Sequence, residues 1–220
     1  IFDLVIPRGG KSLIKKIKKD SKVPILGHLE GICHVYVEKT AKISMAKEII
    51  RNSKMRRTGI CGAAETLLID KACIKTHLKP ITDELINAGC TIRGDNEIKK
   101  RDKRIKKAKE SDWRTEYLDS ILSIKSVNNT EEAVKHITKY GSGHTETIIS
   151  ENNSAVNTFL KNIDSAILMH NASTQFADGN EFGKGAEIGI STSKIHARGP
   201  IALEELTSFK YTIYGRGQIR

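Results

Sequence analysis

The sequence predicts an α/β fold, and three observations carry that prediction. Short runs of β-branched and aliphatic residues alternate with segments of helical apolar spacing along most of the chain. Glycine-bearing turns separate many of them, as at Gly9-Gly10, Gly89 and Gly141-Ser142-Gly143. No internal repeat or low-complexity linker interrupts the alternation, and 220 residues suffice for one large or two small domains with a real core.

Taken in order, residues 1–6 read as a strand and Pro7-Arg8-Gly9-Gly10 as a tight turn. Residues 11–19 read as a helix, with Leu13, Ile14 and Ile17 on one face and lysines opposite. Strand, glycine turn and helix is a shape that aims backbone N–H groups at a phosphate, although two glycines alone are a weak signal. Residues 23–26 read as a second short strand, and 27–37 as a glycine-bounded loop entering a third. A helix is expected over 43–54, with Ile43, Ala46, Ile49 and Ile50 inward. A strand over 65–69 and a helix over 74–88 follow, then a short strand over 89–92. Residues 121–127 read as a strand and 130–140 as a helix capped by Thr130, with Glu131 and Glu132 at its positive end. Strands over 145–150 and 166–169 flank a helix over 154–163. Residues 179–199, carrying Gly179, Gly183, Gly185, Gly189 and Gly199, read as a shaped loop around a ligand. Residues 209–213 read as a late strand of the kind that pairs with another subunit.

Composition narrows the function classes. Hydrophobic residues at 38% against 29% charged argue for a folded globular chain rather than a disordered one. No apolar run approaches the roughly 18 residues of a membrane span, and no basic-then-apolar leader opens the chain. The opening strand without a start methionine leads us to expect a chain that begins in mid-fold, as a fragment or processed product. Cys33, Cys61, Cys73 and Cys90 form no Cys-x-x-Cys pair, so no metal site and no disulfide framework is expected, and a reducing, cytoplasmic setting is. The net charge of +11 is concentrated in residues 11–22 and 99–109. Either run can be a solvated helix face or a nucleic-acid contact. The basic and aromatic interleaving of a single-strand binder is missing, so nucleic acid is the less favoured partner.

One stretch carries chemistry. Cys61 sits between Gly59 and Gly62, just after Arg56 and Arg57 and before a strand. Cationic neighbours favour the thiolate, which is the nucleophile, and small neighbours admit a substrate. A small buried filler is the alternative, since unpaired cysteine is among the most buried residue types.

Motifs spread along the chain resolve that choice by resemblance. Arg57-Thr58-Gly59-Ile60-Cys61-Gly62-Ala63-Ala64-Glu65-Thr66, the stretch 127–148 with His136, Gly141, Ser142, His144 and Glu146, Asn171-Ala172-Ser173-Thr174, and His196-Ala197-Arg198-Gly199-Pro200 stand in this order. With Pro7-Arg8-Gly9-Gly10 and Gly31-Ile32-Cys33-His34 they resemble the gamma-glutamyl phosphate reductase (glutamate-5-semialdehyde dehydrogenase) family of the aldehyde dehydrogenase superfamily. The chain resembles only the C-terminal part of that family. The resemblance implies an aldehyde dehydrogenase-like catalytic domain with the tail end of a Rossmann-like cofactor domain. Residues 1–26 would be the incomplete end of the dinucleotide-binding domain, 27–200 the catalytic cysteine domain, and 201–220 a C-terminal oligomerisation segment of a homo-oligomer.

The resemblance also implies an activity: NADPH-dependent reduction of gamma-glutamyl phosphate to the semialdehyde and phosphate, in proline biosynthesis, through a thioester on Cys61. An inactive truncated or split remnant of that enzyme is the alternative. Arg57, Asn171, Ser173, Thr174 and Arg198 are the expected substrate contacts, the two arginines because a guanidinium fork matches phosphate and carboxylate. Arg8, Gly9, Gly10 and Glu116 are the expected contacts of NADPH/NADP, and no metal is expected. Glu30 reads as a loop carboxylate shifted from the position where acid-forming aldehyde dehydrogenases keep a water-activating glutamate. His34, His136, His144 and His196 read as packing or orienting residues.

Overall fold

The computed structural model describes residues 2–220. Its elements in chain order are α1 (Lys11–Asp20), β1 (Cys33–Val37), α2 (Ile43–Met55), β2 (Ala64–Asp70), α3 (Ile74–Asn87), β3 (Thr91–Gly94), α4 (Asn96–Arg101) and β4 (Lys106–Lys107). They continue with β5 (Ile121–Val127), α5 (Thr130–Tyr140), β6 (Thr145–Ile149), α6 (Asn153–Asn162), β7 (Ile167–His170), β8 (Gly189–Ser191) and β9 (Gly199–Ile201). Strands β1 to β7 form one parallel sheet in the order β4-β3-β5-β2-β1-β6-β7.

The sheet is buried on both faces, as parallel sheets are when crossover helices cover them. Val35, Val37, Leu67 and Ile69 face one way, onto Ile50 of α2 and Leu78 and Ile81 of α3. Tyr36, Leu68 and Ile148 face the other, onto Ala133 and Ile137 of α5 and Phe159 of α6. The two central strands, β1 and β2, are buried at every residue. Parallel strands all start at the same edge, so the loops entering β5, β2, β1 and β6 lie side by side. Those loops carry Glu116, Cys61, His28 and His144, and that topology assembles the site.

Several expectations change. The strands expected over 1–6 and 23–26 reduce to one parallel bridge, Val5 to Ile25, held by Val5 N–H to the Pro24 carbonyl and Leu26 N–H to the Val5 carbonyl, both 3.0 Å. Pro7 and Pro24 offer no ladder donor, which limits the pairing; Ile1 lies outside the described residues. No residue of α1 is buried among the described residues, so its apolar face is only partly covered. The short strand expected over 89–92 starts later, at Thr91, because Gly89 closes α3 with a φ of +87°. Asn129, rather than Thr130, caps α5, its Oδ1 accepting from Glu132 N–H at 3.0 Å. The loop over 179–199 is not wholly irregular, since β8 pairs antiparallel with β9. The late strand over 209–213 does not form, because no strand of the described chain lies alongside it to pair its backbone. Phe209, Tyr211, Ile213 and Tyr214 there are exposed.

The basic run over 99–109 resolves into α4 and the edge strand β4. Arg101 pairs with Glu97, and Arg104 with Asp83 and Asp102. The exposed Lys106 and Lys107 form the sheet edge, where charge discourages a further strand from adding.

Candidate active site

Cys61 rides a turn between α2 and β2, closed by Ala63 N–H to the Ile60 carbonyl at 2.9 Å. Two glycines let other segments press against this turn. A Cβ on Gly31 would stand 2.2 Å from the Cys61 carbonyl oxygen, and one on Gly62 would stand 3.4 Å from the Thr174 carbonyl. Behind the turn, Ser53 of α2 bonds Ser173 Oγ and Thr174 N–H, both at 3.1 Å, while Gln175 Nε2 donates to the carbonyls of Ser53 and Arg57. Beneath it, Lys54 and Glu65 form a fully buried ion pair at 2.7 Å. Burial pushes the Glu65 carboxyl up to about 7 despite that lysine.

The Cys61 side chain faces a cleft of about 460 Å³ that is also lined by Arg8, Gly9, Gly10, His28 and Glu116. A larger groove of about 780 Å³ between α2 and α3 is lined by Lys47, Arg51 and Glu84 but holds no nucleophile. Glu116 Oε1 accepts the Gly31 N–H at 2.7 Å, which ties the cleft wall to the loop under Cys61. Arg8 lies across Gly189, where a Cβ would come within 2.8 Å of its Nη1.

Electrostatics at the thiol differ from the expectation. The Cys61 pKa is pushed up to about 11, chiefly by burial and then by the carboxylates of Glu187 and Glu116. Its own backbone N–H and Arg8 pull the other way. Arg56 and Arg57, the cations adjacent in sequence, are exposed and are not among the main influences on it. The resting group is therefore a thiol and needs a proton acceptor to react.

Two histidines supply nearby candidates. One ring nitrogen each of His28 and His144 and the Cys61 sulfur all lie within 4.8 Å of one another. The two rings pack edge-on, with centroids 4.8 Å apart. His144 stands in one of the motifs but reads there as a packing or orienting residue, and His28 is not singled out; both reach Cys61 through the order of the strands rather than through spacing along the chain. Glu187, in the glycine-rich loop, likewise carried no sign in sequence of acting on Cys61.

The expected site residues divide into two groups. Cys61, Arg8, Gly9, Gly10 and Glu116 share the cleft. Arg57, Asn171, Ser173, Thr174 and Arg198 lie outside its lining. Arg57 is exposed. Asn171, at a φ of +53°, clamps the Ser150 backbone through its Oδ1 at 3.0 Å and its Nδ2 at 3.1 Å. Ser173 and Thr174 brace the Cys61 turn from behind. Arg198 pairs with Asp164, a carboxylate held down to about 2 by Lys194 and Arg198. Glu30 pairs with Lys11. His136 packs among His34, Trp113 and Tyr140, and burial pushes its pKa down to about 2.

Known proteins with this sequence pattern decide the relationship. Gamma-glutamyl phosphate reductases of Parvibaculum lavamentivorans and Bradyrhizobium diazoefficiens are each 56% identical to the chain over 219 residues, all of its alignable length. Its homologues are gamma-glutamyl phosphate reductases. The chain spans about half the length of those relatives, 52% and 50% respectively. The crystal structure of gamma-glutamyl phosphate reductase from Thermotoga maritima superposes with a TM-score of 0.96 at 44% identity, covering 99% of this chain and 53% of that one. An acetylating aldehyde dehydrogenase from Geobacillus thermoglucosidasius superposes with a TM-score of 0.76 at 19% identity, covering 99% of this chain and 57% of that one, and so shares the fold. The fold is thus aldehyde dehydrogenase-like, as the motifs implied. No family model matches the chain. Among the described residues no helix is long and apolar enough to cross a membrane.

Proposed function

We propose that this chain carries the nucleophile of a gamma-glutamyl phosphate reductase, acting in proline biosynthesis. The observation that supports this best is the placement of Cys61 in one cleft with Arg8, the Gly9-Gly10 turn and Glu116. The Cys61 sulfur attacks the acyl carbon of gamma-glutamyl phosphate, forming a thioester and expelling phosphate. His28 takes the thiol proton. Its Nδ1 lies 2.7 Å from the Ile190 carbonyl, which can only accept, so Nδ1 holds the hydrogen and Nε2 keeps a free lone pair. Arg8 stabilises the developing thiolate. The Cys61 backbone N–H, which favours the thiolate in the resting site, is the oxyanion donor, an interaction of about 3–4 kcal/mol when well placed. Glu30 is held by Lys11, so this carboxylate is not free to direct water at the thioester.

A nicotinamide cofactor fits the same cleft. The first turn of α1 has no side-chain cap and no acidic residue, so its N–H groups are open to a phosphate. Gly10 has nothing within 4 Å of where a Cβ would stand. Arg8, Gly9 and Gly10 would hold the pyrophosphate and Glu116 the ribose; NADPH, when bound, supplies the hydride that reduces the thioester to the aldehyde. The exposed aromatic segment over 209–214 is the surface through which we infer pairing with a second copy, and four free thiols suit a reducing, cytoplasmic setting.

The test uses gamma-glutamyl phosphate generated in situ by a glutamate kinase, with phosphate release and NADPH oxidation followed separately. The acyl transfer needs Cys61 and its cleft alone, so the chain releases phosphate, and Cys61→Ser abolishes release. Wild-type release retained by Cys61→Ser removes the nucleophile assignment.

A further inference from the structure

We propose that His28, Cys61 and His144 form an inhibitory site for a borderline divalent cation, zinc being the best match. Imidazole nitrogen and thiolate sulfur are the donor set zinc prefers, and three protein ligands with a fourth position open to water is a familiar zinc arrangement. The three donor atoms already lie within 4.8 Å of one another. Zinc bond lengths require them to close to about 3.5 Å. His28 can supply that movement, being half-buried and following Gly27, whose φ is +156°.

The His28 tautomer is set for metal binding, and the His144 surroundings permit the matching one. A zinc-bound histidine ordinarily donates its other N–H to a fixed acceptor, which orients the ring and raises its basicity. His28 Nδ1 does this to the Ile190 carbonyl. His144 Nδ1 sits 2.9 Å from Thr145 Oγ1. His144 is 0% exposed, and its Nε2 is buried without a partner. With Thr145 Oγ1 accepting from Nδ1, Nε2 holds a buried, unmatched lone pair of the kind a metal satisfies. Cys33 lies close as well, 3.6 Å from His144 Nδ1, but its thiol donates to the Cys61 carbonyl at 3.1 Å and so is turned to the backbone.

Binding exchanges the Cys61 thiol hydrogen for a sulfur–metal bond. The proton passes to buffer and no oxidation state changes. The bound sulfur is no longer free to attack a carbonyl, so the metal excludes any electrophile from Cys61. This inference does not depend on the reductase reading, because binding is measured without substrate.

The experiment titrates the full chain with Co²⁺ and then Zn²⁺, following the near-ultraviolet thiolate-to-cobalt charge-transfer band. One equivalent of Co²⁺ should give the band, and one of Zn²⁺ should remove it. Cys61→Ser should abolish the band, His28→Gln should weaken Zn²⁺ binding at least tenfold, and Cys33→Ser should retain both. Zn²⁺ should also protect Cys61 from iodoacetamide. Melting curves confirm that each variant is folded, and the half-buried His28 gives a variant that leaves the core intact. Absence of a one-equivalent site, a Zn²⁺ affinity unchanged in Cys61→Ser or His28→Gln, or a band lost in Cys33→Ser would each overturn the proposal.

Discussion

Gly31→Ala probes the packing that positions the nucleophile. The added methyl carbon would stand 2.2 Å from the Cys61 carbonyl oxygen, 2.7 Å from its Cα and 2.8 Å from its carbonyl carbon. All three are backbone atoms, so no rotamer change relieves the contact. The loop entering β1 and the Cys61 turn must part by about 1 Å to reach ordinary van der Waals separation. That movement strains the Cys33 thiol bond to the Cys61 carbonyl and the Gly31 N–H bond to Glu116. Overpacking with loss of about one hydrogen bond predicts a destabilisation of about 2–4 kcal/mol. For a chain of this size the melting temperature should then fall by about 5–15 °C. A sulfur displaced by that distance should lose about 100-fold in acyl transfer. Thermal unfolding and single-turnover phosphate release measure the two effects. A variant that melts with the wild type and releases phosphate within twofold of its rate refutes the packing argument.

Three further outcomes follow from the charges. Iodoacetamide should alkylate Cys61 with a midpoint near pH 11; Glu116→Gln, which keeps an acceptor for Gly31 but removes a carboxylate, should move the midpoint down, and Arg8→Met should move it up. Shifts in the opposite directions would reject this electrostatic description. Lys54→Met strands the buried Glu65 and should cost about 3–5 kcal/mol at pH 8. Because Glu65 holds its proton up to about pH 7, the loss should shrink at pH 5, and urea melts showing an equal loss at both pH values would contradict it. His136 and His144 stay neutral in the fold, with pKa values pushed down to about 2 and about 3 from 6.5, chiefly by burial. The stability they contribute is complete above their unfolded pKa and drains as the pH falls towards 3, by about 1.4 kcal/mol per unit for each group. Glu65 opposes this between its unfolded pKa of 4.5 and about 7, so the loss is steepest below pH 4.5. His136→Phe should roughly halve that steep limb in urea melts, and an unchanged slope would place the acid sensitivity elsewhere.

Local pattern made much of the frame legible. The strand over 121–127 and the helix over 130–140 have the bounds read from apolar spacing, because each packs one regular apolar face against the sheet. The pattern misled where pairing had to come from elsewhere. Residues 209–213 have strand-forming side chains but no partner strand, and Val5 and Ile25 have only each other. The site was legible as a set of motifs but not as an electrostatic unit. Arg56 and Arg57 stand beside Cys61 in sequence yet point to solvent, whereas Arg8 and Glu187 reach it from distant loops. The pairing of His28 and His144 with Cys61 was hidden for the same reason: neighbouring strands β1 and β6 bring them together, and no spacing along the chain encodes that.

The central claim is that Cys61 is the atom that takes the acyl group. Incubating the chain with acetyl phosphate, a stable surrogate acyl phosphate, and mapping the products by peptide mass spectrometry tests it directly. The account predicts one hydroxylamine-labile acetyl group on the peptide containing Cys61, absent from Cys61→Ser. Phosphate release with Cys61 unmodified, or the same adduct on Cys33, Cys73 or Cys90, would contradict it.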